Sequence, residues 1–140
     1  MAYTYSFEKL EVWMLGRELT SHIYRLSAKW PDSEKFGLVS QIRRASVSIC
    51  SNLAEGASKP SFKEKAHFTQ IAYNSLMEVL NDIIIARDLE FIENIQLPVT
   101  REKIESLGNK LNAYRNYQLN QHRKSLRKSK GKPSDKQINE

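Results

Sequence analysis

Cysteine is almost missing from this chain of 140 residues: Cys50 stands alone, so no intrachain disulfide can staple the fold. Glycine (five) and proline (four) are equally scarce, which excludes collagen-like, linker-dominated and turn-rich all-β chains. Long apolar runs are absent too. None exceeds four residues, the length of Ile83 to Ala86, far short of the ~18 that a membrane span needs. Met1 to Leu10 contains Glu8 and Lys9 and no apolar segment, so no signal peptide is expected and the chain reads as cytoplasmic. What remains is an ordinary single-domain composition, 40% apolar and 27% charged, with a formal net charge of +6.

The usual chemical motifs are missing as well. There is no glycine-rich phosphate loop, no Walker-type sequence and no paired-cysteine zinc spacing. A di-iron bundle needs two Glu-x-x-His pairs, and this chain has one, Glu64 with His67. Glu64 already has a local use as a helix-capping residue, and Glu18 with His22 reads as a surface hydrogen bond four residues apart. Cys50, between Ile49 and Ser51 in a helical segment, reads as a small buried hydrophobe with an unactivated thiol. No metal, no cofactor and no catalytic residue are expected.

Charge, by contrast, is present and uneven. Residues 1–122 carry 15 Lys plus Arg against 14 Asp plus Glu. Residues 123–140 carry seven cations, Arg123, Lys124, Arg127, Lys128, Lys130, Lys132 and Lys136, against Asp135 and Glu140. With Leu126 and Ile138 as its only large apolar residues, that segment cannot bury enough surface to offset its ordering entropy. The expected organisation is a globular domain over 1–122. A basic, largely disordered tail over 123–140 follows, continuing the last helix for a turn or so and fraying beyond Gly131 and Pro133. The tail has two readings: an arm that displaces counterions from nucleic-acid phosphates, or a solubilising terminus. No amphipathic aromatic face accompanies the cations, so no membrane partner is expected.

Apolar periodicity marks four helices. The first, about Lys9 to Ala28, follows Val12, Leu15, Leu19, Ile23, Leu26 and Trp30, and Pro31 stops it. The second begins between Ser33 and Leu38 and reaches about Ala57 along Leu38, Ile42, Ala45, Ile49 and Leu53. Ser61-Phe62-Lys63-Glu64 has the form of a capping box and predicts a third helix from Phe62 to about Leu89. Its line runs through Phe62, Ala66, Thr69, Ala72 or Tyr73, Leu76, Leu80, Ile83 and Arg87. A fourth helix, with Thr100 as N-cap, carries Ile104, Leu107, Leu111 and Tyr114 past Tyr117. Short connections and long helices define an all-α, antiparallel up-down four-helix bundle.

One polar constellation stands beside the apolar lines. Arg44, Ser48, Ser51 or Asn52, and Glu55 recur at steps of three and four, as do Ser75, Glu78 and Asp82. The facing stripes predict a polar network of Arg44, Ser48, Asn52, Glu55, Ser75 and Glu78 that includes an Arg44–Glu78 pair. Such a network fixes register or a subunit contact, or lines an active site. Arg43, about 100° round the helix from Arg44, is expected to face outward. Tyr3, Tyr5 and Phe7 either contact a neighbouring subunit or fold back on their own bundle.

Phe7-Glu8-Lys9-Leu10-Glu11-Val12-Trp13 resembles the opening of the bacterial four-helix bundle proteins typified by intervening-sequence proteins of large-subunit ribosomal RNA genes. Phe36 to Ala45 and Ser48 to Gly56 resemble that family's signature segment, and Ser75-Leu76-x-Glu78 its third-helix element. The resemblance covers about residues 7–92. Tyr73-Asn74 stands where many members carry Arg-Gly, so no role of that Arg transfers. The resemblance implies a homo-pentameric barrel around a central channel and a non-enzymatic nucleic-acid-binding role. More distantly, the chain resembles accessory proteins of diversity-generating retroelements, which assist a reverse transcriptase.

The leading expectation is therefore a ring-forming, non-enzymatic nucleic-acid-binding protein, for RNA ahead of DNA. Its contacts would come from Arg123, Lys124, Arg127, Lys128, Lys130 and Lys132, with Arg43, Arg17 and Arg115 on the bundle. Because the tail has no interleaved aromatics, phosphate-dominated contacts of weak sequence preference are expected. The alternative is a protein-interaction scaffold or accessory subunit of a nucleic-acid enzyme such as a reverse transcriptase. An enzyme would require Arg44, Asn52, Glu55 and Glu78 to line an open pocket.

Overall fold

A computed structural model describes residues 2–131. Four helices carry the fold: α1 (Glu11–Ser27), α2 (Leu38–Ala57), α3 (Phe62–Asp88) and α4 (Gln96–Gly131). Two short 3-10 turns precede α1 and α2, at Ser6–Lys9 and Asp32–Glu34, and there is no strand among the described residues. Each helix touches its sequence neighbours, α4 closes back on α1, and the diagonal pairs do not meet. Cross-helix contacts fix an antiparallel register throughout. Thr20 meets Ser46, Ser48 meets Ser75, Thr69 meets Gln118, and Glu11 meets Lys110. The result is the four-helix bundle that the apolar periodicity requires.

The core follows the expected lines closely. Leu19, Ile23, Ile42, Ile49, Leu76, Ile83, Leu107 and Leu111 are fully buried. On α3 the inward residue is Ala72, with Tyr73 half-buried beside it, and Ala86 takes the last core position where Arg87 had been placed. Arg87 is exposed and pairs with Asp88 at 3.2 Å. Small residues let α2 approach both neighbours. A Cβ on Gly16 would lie 2.9 Å from Cys50 Sγ, and one on Gly56 would lie 2.7 Å from Phe68 Cβ.

Helix ends explain where boundaries fell. Ser61 caps α3 by accepting from the Glu64 backbone N–H at 3.2 Å, and its hydroxyl donates to Glu64 Oε2 at 3.0 Å. The serine half of the capping box is thus present, while Glu64 turns to the Ser61 hydroxyl. The C-terminus of α3 closes as a Schellman motif: Phe91 N–H reaches Ala86 O and Glu90 N–H reaches Arg87 O, both at 2.9 Å. Glu90 occupies the left-handed position at φ 63°, where glycine is the usual residue.

The fourth helix corrects the sequence expectation. It begins at Gln96, four residues before the anticipated cap. Gln96 Oε1 accepts from the Glu93 N–H at 3.2 Å, and Pro98 falls in the first turn, where its missing N–H has no intrahelical partner to lose. Thr100 is a fully buried helical residue whose hydroxyl donates to Gln96 O at 2.9 Å. At its other end α4 runs to Gly131, so residues 123–131 of the basic segment are helical. Lys and Arg are sound helix formers, and cations suit a helix C-terminus, which accounts for this extension. Lys132, Lys136 and the rest of the segment lie outside the described residues.

Candidate nucleic-acid interface

The last turn of α4 held by the bundle is set by Gln118. Its Oε1 accepts from the buried Thr69 hydroxyl at 2.7 Å, and Tyr117 meets Phe62 edge-on with ring centroids 6.3 Å apart. Burial raises the pKa of the Tyr114 hydroxyl, one turn before Gln118. Gln121 and His122 are half-buried, and from Arg123 onward every side chain described is exposed. Nine residues of helix therefore project about 13 Å past the bundle.

That projection carries Arg123, Lys124, Arg127, Lys128 and Lys130 and no acid. Arg123, Arg127 and Lys130 fall along one row, Lys124 and Lys128 along the next, so the cations cover about half the helix circumference. None of the five forms an ion pair among the described residues. Arg123 Nη1 donates to Asn120 Oδ1 at 3.2 Å, which leaves its charge unneutralised. Like charges four apart destabilise an isolated helix by about 0.2–0.5 kcal/mol per pair, so a polyanion laid along this face relieves repulsion as well as gaining attraction.

The bundle itself is electrically polarised along its axis. At the levels set by Thr20–Ser46 and Ser48–Ser75, one half comprises residues 2–21, 46–77 and 106–131. It holds 12 Lys plus Arg against five Asp plus Glu, a net +7, of which +5 belongs to the projecting helix and +2 to the bundle. The opposite half, residues 22–45 and 78–105, holds eight against nine. Lys63 is exposed at the α2–α3 turn, where Lys59 lies 5.2 Å from the Phe68 ring centroid and Lys65 Nζ donates to Ala57 O at 2.9 Å.

The three bundle arginines separate in role. Arg17 is exposed, with its guanidinium 4.8 Å from the Trp13 ring centroid. Arg115 is half-buried, and its Nε has no hydrogen-bond partner. Arg43 is turned inward, contrary to expectation. Its Nε donates to the buried Ser27 hydroxyl at 2.9 Å, its Nη2 to Tyr24 O at 3.2 Å, and it lies 4.5 Å from the Tyr24 ring centroid. The Tyr24 carbonyl also accepts from the Ala28 N–H at 3.1 Å, so Arg43 adds a second donor at the C-terminus of α1 and ties α1 to α2.

The polar stripes of α2 and α3 also assemble differently from the expected network. A neutral cluster forms: Ser48 and Ser75 hydroxyls lie 2.9 Å apart, and Asn52 Nδ2 donates to Ser48 O at 2.8 Å and to its hydroxyl at 3.0 Å. Arg44 and Glu78 form no ion pair, and both line an open cleft of about 390 Å³ with Phe36, Ser40 and Gln41. Water solvates both charges there, and a surface pair contributes little against the entropy of holding two long side chains. Glu55 is exposed and outside the cluster.

Asp82 is the buried acid of this region. It is 0% exposed, its Oδ1 accepts from Gln41 Nε2 at 2.8 Å and from Asn81 Nδ2 at 3.3 Å, and its Oδ2 has no partner. Burial raises its pKa, opposed by the Asn81 hydrogen bond, aided by the Glu78 charge and opposed again by Gln41. Because the folded value lies above the unfolded one, its stabilising contribution is complete below the ordinary carboxyl range. It is lost as pH rises through the raised value. Asp82→Asn removes that titration and is expected to stabilise the fold by roughly 1 kcal/mol near pH 8, with the gap closing towards pH 4. Urea unfolding of both chains across pH checks this, and a pH-independent gap would remove Asp82 as the titrating group.

Other chemical candidates are accounted for locally. Burial raises the pKa of the half-buried Cys50 thiol, against weaker opposing effects of Thr20 and Arg17. His22 bonds Thr100 through Nε2 at 2.8 Å, not Glu18, and its pKa is lowered by burial and by Lys103 and Arg25. No group of three His, Cys, Asp or Glu residues that could hold a metal occurs among the described residues, and no described helix is long and apolar enough to cross a membrane.

An up-down bundle with a projecting basic helix defines the class of protein: a helical module with one basic end. Residues 8–113 match the family described as "23S rRNA-intervening sequence protein", and the chain belongs to that family. A solved structure of a protein with unknown function from the S23 ribosomal protein family of Bacteroides thetaiotaomicron VPI-5482 has the same fold. It aligns with a TM-score of 0.66 at 19% identity, over 74% of this chain and 96% of that one. No curated protein matches. Neither description indicates an enzymatic family.

Proposed function

We propose that this protein binds RNA without catalysing a reaction, using the projecting end of α4 as a phosphate-contacting arm. The observation that carries the reading is the acid-free run of five exposed cations on an ordered helix beyond the bundle. Outside the arm the adjoining half holds seven cations against five acids, and it extends the attraction onto the bundle through the exposed Arg17 and Lys63 and the half-buried Arg115. Arg43, held by Ser27 and Tyr24, serves the fold instead. The family's connection with 23S rRNA favours RNA over DNA as the target. Assembly into a homo-oligomeric ring, pentameric as the resemblance implies, belongs to the same proposal. So does a cytoplasmic location. A ring would repeat the arm around its axis and raise avidity without new contacts.

The test is fluorescence anisotropy with single-stranded RNA, structured RNA and duplex DNA across a salt series. It compares the full chain with a chain ending at residue 122, after light scattering has sized both. Steeply salt-dependent RNA binding that largely vanishes on truncation supports the reading. A correctly folded full chain that binds none of the three at low salt overturns it. The scaffold for a nucleic-acid enzyme would then be the reading to pursue.

A further inference from the structure

The segment ahead of α1 forms a continuous run of rings. Tyr3 and Tyr5 meet edge-on with centroids 4.9 Å apart, Tyr5 and Phe7 stack at 6.3 Å, and Phe7 meets Trp13 edge-on at 5.1 Å. Arg17 continues the series over Trp13 at 4.8 Å. The inner members are anchored, since Phe7 and Trp13 are half-buried and Trp13 packs on the core. The outer members are not: Tyr3 is 78% exposed and Tyr5 60%.

The charges around these rings are arranged in one sense. Both acids of the segment are engaged: Glu8 accepts from the Tyr5 N–H at 2.6 Å, and Glu11 pairs with Lys110 at 2.9 Å. The neighbouring cations Lys9 and Arg17 are exposed and form no ion pair among the described residues. The Glu8 bond also holds the Tyr5 backbone against the first turn, and Tyr3 is placed by its edge-on contact with the Tyr5 ring. The rings stand in the +7 half of the bundle, the half from which α4 projects.

Exposed aromatic rings with unpaired cations alongside are the elements of a platform for unpaired bases, and the exposed Glu18 beside Arg17 is the one acid near it with neither a hydrogen bond nor an ion pair among the described residues. Aromatic side chains stack any base through its π-face, while cations alongside track the backbone. We infer that Tyr3 and Tyr5, backed by Phe7, Trp13 and Arg17, form a base-stacking site for single-stranded RNA. This inference rests on the RNA-binding reading and deepens it. The phosphates of a strand lie along the projecting helix and its neighbours, and its unpaired bases lie on the tyrosines. A duplex, whose bases are already stacked, gains nothing from the rings.

The test compares a 20-nucleotide oligouridylate with an abasic ribose-phosphate oligomer of the same length and charge. Both are titrated by anisotropy into the full chain, into Tyr3→Ser/Tyr5→Ser and into Tyr3→Phe/Tyr5→Phe. The wild type is expected to bind oligouridylate about tenfold or more tightly than the abasic oligomer, the effect of one well-stacked base. The serine variant is expected to lose that advantage with its salt dependence intact, and the phenylalanine variant to keep it. Equal affinity of the wild type for both oligomers overturns the stacking site and leaves the phosphate-contacting arm standing. Failure to bind either oligomer removes the RNA reading and the stacking site together. Unchanged oligouridylate binding by the serine variant, with a change in assembly mass by light scattering, assigns the rings to a subunit contact and also overturns the proposal.

Discussion

Substituting Arg123, Lys124, Arg127 and Lys128 by Gln is expected to weaken binding of single-stranded RNA by about three to four orders of magnitude per chain at 50 mM salt. The magnitude comes from counterion release. Each cation that neutralises a phosphate on a single strand contributes about −0.7 to the slope of log affinity against log salt, so four contribute roughly −3. Extrapolated from ~1 M salt, where that effect fades, to 50 mM, the slope gives a loss of about four-thousandfold. Lys130 and the bundle cations remain, so binding should be reduced and flattened, not abolished. The fold should not change, because all four side chains are exposed and make no ion pair among the described residues. Gln also keeps most of the helix propensity of Lys and Arg. Anisotropy across salt, with circular dichroism on the same samples, checks both halves. An unchanged slope would move the contact onto the bundle, where Arg17 is exposed.

The contrast between legible and illegible parts follows from what sets each feature. Helices α1, α2 and α3 were readable to within a few residues because burial at steps of three and four leaves an apolar line in the sequence. The start of α4 was not, since proline and threonine at positions 98 and 100 look like a boundary when read locally. The structure uses Gln96 as the starting residue, and its side chain reaches back to Glu93. Arg43 shows the same limit on a single side chain. Helical geometry places it beside the polar stripe, but the carbonyls it serves lie on another helix, at Tyr24. A pattern of period 3.6 carries no information about which chain end lies opposite.

The candidate site divides in the same way. The basic character of residues 123–130 is visible in composition, while its presentation depends on where the bundle stops supporting α4, a tertiary fact fixed by Thr69 and Gln118. The expected Arg44–Glu78 pair failed because helical spacing placed the two residues on facing stripes without setting their exposure. The structure gives the short side chains Ser48, Asn52 and Ser75 the interhelical contact and leaves the long ones in the cleft. Tyr3, Tyr5 and Phe7 stood out as apolar residues ahead of the first helix. Their succession onto Trp13 and Arg17 required the chain to turn through Ser6–Lys9, which the periodicity of α1 does not specify.

Gly56→Val is expected to cost the bundle a large part of its stability. The Cβ it adds would sit 2.7 Å from Phe68 Cβ and 3.6 Å from the Lys65 carbonyl oxygen, and neither atom can rotate away because both are fixed by the α3 backbone. Relief requires α2 and α3 to separate beside the α2–α3 turn. Overpacking typically destabilises by about 1–3 kcal/mol, and contact with fixed atoms puts valine at or beyond the upper end. Against a total of about 5–15 kcal/mol for a domain, that is a large fraction, and it corresponds to a fall in Tm of roughly 10 °C or more. Gly108→Ala supplies the control. The added Cβ would lie 3.5 Å from Leu76 Cδ2 and 3.7 Å from Tyr73 Cε2, ordinary contact distances. Replacing glycine within a helix should then stabilise by about 0.5–1 kcal/mol. Thermal and urea unfolding of the two variants should move in opposite directions. If both stabilise, helix propensity outweighs the α2–α3 contact and Gly56 is not the residue that sets the distance between these helices.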